Sequence, residues 1–175
     1  GPALAYGVAG VLAVACIWYD FAQIDRNLET VARERGAVLF RLIELTRDWN
    51  AEHGGVYVPI TPATQPNPYL DDPQRDVVTV DGQRLTKINP AFMTRQISEI
   101  AARAQGLQFH ITSLKPIRPA NDPDSWERES LAHFENGARE RISLVGLESG
   151  APVHRYMAPL LVKPSCMKCH SGQGY

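Results

Sequence analysis

Val77-Val78-Thr79-Val80-Asp81-Gly82-Gln83-Arg84-Leu85-Thr86-Lys87-Ile88-Asn89-Pro90 is the stretch on which the fold turns. Val77–Val80 and Gln83–Ile88 flank an Asp-Gly pair, which predicts a hairpin whose turn is type I′, because that turn needs φ > 0 at both central residues. The second strand runs directly into Asn89, a residue able to cap a helix, and Pro90, whose fixed φ suits a first helical position. A helix over Ala91–Gln105 follows, stopped by Gly106.

Working outward, Val56-Tyr57-Val58-Pro59-Ile60 reads as a short strand, and the four prolines between Thr61 and Pro73 make an irregular surface loop. Downstream come a strand over Leu107–Leu114, a Pro-rich loop over Lys115–Asp124 and a helix over Ser125–Asn136 closed by Gly137. Asn121 and Asp122 are read as organising the loop and capping that helix. Arg141–Leu147, the turn Glu148-Ser149-Gly150 and Val153–Val162 form a further hairpin. The expected fold class is α+β: one mainly antiparallel sheet of about five strands with helices against one side.

The N-terminal part differs in kind. Ala3 to Tyr19 holds no charge, spans roughly 25 Å as a helix and ends on Trp18, Tyr19 and Asp20, as an interfacial belt would. The competing readings are a buried core helix and a signal-peptide core. Neither a small-residue cleavage site nor a break in the helical pattern is evident, so residues 1–19 are read as a single membrane anchor. Within it, Cys16 is a small apolar residue with a thiol open to lipidation. Residues 20–50 are read as an amphipathic stalk: Phe21, Ile24, Leu28, Val31, Val38, Leu42 and Leu45 recur at mostly three- and four-residue steps, with Asp25, Arg26, Glu29, Arg33, Glu34, Arg35 and Arg41 between them. Such a stripe pairs with a partner helix or packs on its own domain, and Gly54-Gly55 ends it. Expected partners are therefore the membrane and either a homodimer through the stalk or a larger membrane complex. Residues 51–175 form the remaining domain. Gly1-Pro2, with no initiator Met, reads as a scar or as an internal start.

Charged residues make up 21% of the chain and the net charge is −1, with no basic stripe, so nucleic acid is not an expected partner. Two of the three cysteines lie in Cys166-Met167-Lys168-Cys169-His170, a C-x-x-C-H pattern. That spacing attaches c-type haem: two thiols form thioethers with the two vinyl groups, and the next residue offers a neutral imidazole to the iron. A thioredoxin-like pair would open a helix after a strand in a βαβ unit, and none is visible. A zinc site needs a second Cys/His pair, whereas the remaining cysteine is Cys16. One covalent haem c, held by Cys166, Cys169 and His170, is the expected cofactor, and its chemistry expects a periplasm-facing domain on a single-pass inner-membrane anchor.

Together with this motif, several further segments form an ordered set. They are His53-Gly54-Gly55-Val56-Tyr57, Asn89-Pro90-Ala91-Phe92-Met93-Thr94-Arg95-Gln96, Thr112-Ser113-Leu114, the run Pro119 to Glu127 and Tyr156-Met157-Ala158-Pro159-Leu160. From about Glu44 to Tyr175 the chain resembles the haem-c-binding PAS-like domain of a cyanobacterial haem protein and of the periplasmic ends of bacterial sensor histidine kinases. The resemblance implies a PAS-like fold, one covalent haem, and a role in redox or diatomic-gas sensing or in electron transfer.

The sixth position on the iron is left open by the residues, with Met93, Met157, His110, His154, His133 and His53 as candidates. The resemblance implies a thiolate from the helix preceding Thr112-Ser113-Leu114. This chain has no cysteine there, and Met93 is the nearest sulfur, set against ordinary core packing. Arg95 and Arg118 are candidates for the haem propionates, since the guanidinium fork matches a carboxylate, set against ordinary solvated arginines. No triad, carboxylate pair or phosphate loop marks an enzyme. The leading expectation is a sensory input; the alternative is an electron-transfer or structural haem subunit of a larger membrane complex.

Overall fold

The computed structural model describes residues 1–105, 107–147 and 150–167. Among the described residues, three α-helices and two small antiparallel sheets make it an α+β chain. Helix α1 (Pro2–Glu52) is unbroken, so the expected anchor and stalk are successive parts of one element. Among the described residues it is the one helix long and apolar enough to cross a membrane, and none of its apolar window is buried. Its end is set by Gly54 and Gly55, at φ 72° and 96°, a region open to glycine without strain. That geometry lets Gly54 N donate to Ala51 O (3.0 Å) and Gly55 N to Asn50 O (2.8 Å), covering carbonyls that the helix leaves unpaired.

The chain divides into two compact units, Gly1–Leu39 with Glu140–Met157, and Phe40–Arg139 with Ala158–Tyr175. In the first, β4 (Arg141–Leu147) and β5 (Gly150–Met157) form a hairpin, registered Arg141↔Met157 through Leu147↔Gly150 with an irregularity between Val145 and Leu147. The last strand thus ends at Met157, not at Val162 as the sequence predicts. Tyr156 sits so close to α1 that a Cβ on Gly36 would lie 2.5 Å from its Cβ and Cγ. Beside it Glu140 accepts from Arg33 Nη1 (2.7 Å) and from the Tyr156 hydroxyl (2.8 Å). The Arg33 guanidinium and that hydroxyl hold the Glu140 carboxyl below the usual glutamate range.

In the second unit β1 (Val56–Pro59), β2 (Asp76–Val78) and β3 (Arg84–Ile88) form a sheet in the order β1-β3-β2, with Val56↔Ile88 and Asp76↔Thr86 in register. Helices α2 (Pro90–Gln105) and α3 (Ser125–Glu135) complete it. Leu70, Ile88 and Phe92 are buried apolar residues here, and several of the polar groups buried with them are partnered, whereas the Oδ1 of buried Asn50 has no partner among the described residues. Thr86 donates to Asp76 (2.7 Å), Thr94 to Pro90 O (2.9 Å) and Ser130 to Trp126 O (2.7 Å), which meets the demand that a buried hydroxyl find an acceptor. Lys87 Nζ is buried 2.8 Å from Asp72 Oδ2.

Three expectations are corrected. Gly82 alone has positive φ (84°) in the β2–β3 loop, with Gly82 N donating to Thr79 O and Thr79 N to Gln83 O, both at 2.9 Å. This is a four-residue turn followed by a glycine bulge, not type I′, and the Thr79 hydroxyl braces it through Asp81. Leu107–Leu114 forms no strand: Ser98 Oγ of α2 donates to Phe109 O (2.7 Å) and accepts from Phe109 N (3.1 Å), taking the place of a ladder partner. The expected single sheet is accordingly two sheets of three and two strands among the described residues. Finally, α3 is capped by Asp124, which forms a reciprocal box with Glu127 (2.8 and 3.0 Å), rather than by Asn121 or Asp122. The cap by Asn89 stands: it accepts from Phe92 N at 3.0 Å.

Candidate functional site

The start of α2, the end of α1 and the chain around Asn67 and Ile111–Asn121 enclose a cleft of about 150 Å³ in the second unit. Its apolar wall includes Leu70, Phe92 and Ile117, and three arginines face it: Arg47, Arg95 and Arg118. Each is positioned by neutral groups. Arg95 lies over the Phe92 ring, 4.4 Å from its centroid. Arg118 Nη1 donates to Asn121 Oδ1 (2.9 Å), and Arg47 Nη1 to Pro90 O (3.2 Å) and Thr94 Oγ1 (3.3 Å). Among the described residues, no carboxylate is ion-paired with any of the three. Burial, and then the like charge of Arg118, lower the pKa of Arg95; burial lowers that of Arg47. The like charge of Arg118 beside Arg95 in a half-enclosed cleft makes a site favourable to an anion.

Cys166 belongs to the same unit. It closes a 3₁₀ turn (Pro164–Cys166), with Cys166 N donating to Lys163 O at 2.8 Å and its Sγ accepting from Lys163 N at 3.4 Å. The thiol is free and half-buried. Lys163 fastens this turn to α1 through Asp48 (2.6 Å) and Glu44 (3.6 Å), and those carboxylates raise its pKa. Cys169 and His170 lie outside the described residues. Met93 is half-buried against the end of α1, where its sulfur accepts from Asn50 Nδ2 (3.8 Å); it does not line the cleft. Residues 25–174 match the Tll0287-like family.

This chain belongs to the Tll0287-like family. No curated protein and no solved structure matches the chain.

In this Tll0287-like domain the other candidate iron ligands are spread and mostly engaged. His110 Nδ1 pairs with buried Glu127 (2.7 Å), His53 Nδ1 bonds Trp49 O (2.7 Å) and His133 lies 3.5 Å from Glu129. His154 is exposed opposite Leu144, and Met157 is half-buried opposite Arg141, both in the other unit. No group of three or more His, Cys, Asp or Glu side chains gathers among the described residues. Arg95 and Arg118 both line the cleft. Sequence reasoning missed Arg47, because an arginine between Leu45 and Trp49 on an amphipathic helix reads as one more solvated charge. Its place on the face opposite those apolar residues is the signal that would have found it.

Proposed function

We propose that this chain is a membrane-anchored, monohaem c-type cytochrome domain of PAS-like fold, facing the periplasm and acting as a redox or diatomic-gas sensory input rather than as an enzyme. The observation that carries the reading is the C-x-x-C-H motif, Cys166-Met167-Lys168-Cys169-His170, in a chain of the Tll0287-like family. In this reading Cys166 and Cys169 hold the porphyrin by thioethers and His170 is the proximal ligand. When bound, haem c supplies an iron that changes oxidation state or takes a diatomic ligand. The chain's own residues do the rest. Arg95 and Arg118 orient and neutralise the propionates as fork-shaped donors. Phe92, Leu70 and Ile117 keep water from the cleft. Met93 is the candidate sixth ligand, and taking that role means giving up the Asn50 amide for the metal.

Sensing is favoured over electron carriage by one contact. Lys163, three residues before Cys166, is fastened to Asp48 and Glu44 of α1, the helix that also carries the apolar N-terminal segment. A change at the haem that shifts Cys166 therefore acts directly on a helix leading to the membrane. The electron-transfer alternative offers no comparable role for this contact.

The test is Met93→Ala in the haem-loaded full chain. The expected parent spectrum contains the weak red-edge band of Met–haem ligation. The variant loses it, gains carbon monoxide binding and falls in potential, because the thioether favours ferrous iron. A spectrum unchanged by the substitution removes Met93 from the iron. A parent that already binds carbon monoxide fully makes the site open.

A further inference from the structure

Helix α1 belongs in part to each unit. In the first, Arg33 and Gly36 receive the β4–β5 hairpin; in the second, Arg47 and Asn50 receive α2 and the end of β3. Each unit also leaves apolar residues of the helix bare. In the first unit Ile17, Phe21, Ile24, Leu28, Val31 and Val38 are exposed, and in the second Leu42, Leu45 and Trp49. All nine are between 44% and 66% exposed.

Their spacing decides what covers them. With Arg35 included, the positions 17, 21, 24, 28, 31, 35, 38, 42, 45 and 49 alternate steps of four and three without a miss. An ideal α-helix drifts from such a 3.5-residue repeat, and a strict repeat over more than four heptads is kept by a helix wound around a like helix. Phe21, Leu28, Arg35, Leu42 and Trp49 take the a positions; Ile17, Ile24, Val31, Val38 and Leu45 take d. A single polar residue at a fixes register and the number of strands at some cost in stability, and Arg35 is that residue. In a parallel pair the g residue preceding it, Glu34, stands beside the a residue of the other helix, so the seam supplies its own counter-charge.

We propose that the bare residues of α1 form a parallel, two-stranded coiled-coil seam with a second copy of this chain, running from Ile17 to Trp49 and registered by Arg35 against the partner's Glu34. The parallel direction rests on the membrane-anchor reading, since two copies leaving one membrane point the same way; the seam does not depend on haem. Within each unit, homotypic pairing uses other residues of α1 than those the chain's own elements already contact.

The experiment places a photo-crosslinking phenylalanine derivative at Leu28, Val38 or Leu42 of the full haem-loaded chain in its membrane, with Arg26 and Thr30, both exposed off the seam, as comparisons. Crosslinked dimers are expected from the three seam positions at least tenfold above the two others. The peptide joined to position 28 should come from around residue 28 of the second copy, and that joined to position 42 from around residue 42. Equal yields at all five positions, or peptides paired in opposite order, overturn the proposal. In a second arm, Val31→Lys with Val38→Lys should halve the molar mass in detergent while haem absorbance is unchanged. An unaltered molar mass in that variant counts against the seam, and haem loss without a change of mass is a failure of both.

Discussion

Asp72→Asn isolates one buried charge. The substitution keeps an Oδ1 to accept from Gln74 N (2.9 Å) and removes the negative partner of Lys87 Nζ, which lies 2.8 Å from Oδ2. Only 8% of the Lys87 side chain and 11% of the Asp72 side chain are exposed, so water cannot replace what is lost. Breaking a buried pair from one side costs about 3–5 kcal/mol. The Tyr57 ring, 5.3 Å from Nζ, remains as a weaker partner and places the expected loss near the lower bound, about 3 kcal/mol. For a chain of this size that lowers the melting temperature by roughly 6–12 °C. Removing both charges, with Asp72→Asn and Lys87→Met together, should recover most of the loss, because no uncompensated ion is left buried. Urea titrations of the three variants and the parent measure it. The loop held by Asp72 also carries Asn67, Tyr69 and Leu70 of the cleft, so the change in haem spectrum on unfolding should move to lower urea in the single variant while the haem stays attached. At the alkaline end the sign is fixed by Lys87, whose pKa Asp72 raises: the pair's contribution is complete below the usual lysine range and is lost as pH climbs through the raised value. A cost below about 1 kcal/mol for Asp72→Asn, or a double variant no better than the single, refutes the reasoning.

Asp124→Ala removes the cap of α3 and should cost about 1 kcal/mol, read as a shifted urea midpoint. Glu140 has a depressed pKa, so its contribution to seating the β4–β5 hairpin is present above the usual glutamate range and is lost as pH falls below it; hydrogen exchange in residues 141–147 and 150–157 should accelerate there, and Glu140→Gln should remove the pH dependence. Gly36→Ala sets helix propensity, a gain of about 1 kcal/mol, against overpacking onto Tyr156, a loss of about 1–3 kcal/mol. A fall in melting temperature is expected, and a rise would mean that Tyr156 does not sit against α1.

The features that were legible in the sequence are those carried by strong local chemistry. The uncharged run Ala3–Tyr19, the stripe from Phe21 to Leu45, the Asn89-Pro90 helix start and the Gly54-Gly55 stop each act through residues adjacent in the chain. Asp81-Gly82 marked the turn correctly but not its type, because a glycine with positive φ serves a bulge as well as a type I′ turn. The cap of α3 was misplaced by two residues, since Asn121, Asp122 and Asp124 are all competent caps and Glu127, three residues beyond Asp124, decides between them. Phe109 looked like a strand residue because nothing in its own neighbourhood reveals Ser98, eleven residues away, as its hydrogen-bond partner. Arg95 and Arg118 were singled out from their chemistry, and both line the cleft. Arg47 was not, because its role depends on which face of α1 meets α2, a tertiary fact.

Covalent attachment through the Cys166–Cys169 pair is the claim on which the functional account rests. Acid–acetone extraction of the denatured, full-length protein, followed by an intact mass, measures it directly. The account predicts that one haem stays bound to the polypeptide, and that Cys166→Ala with Cys169→Ala releases it. Haem that extracts completely from the parent protein contradicts it.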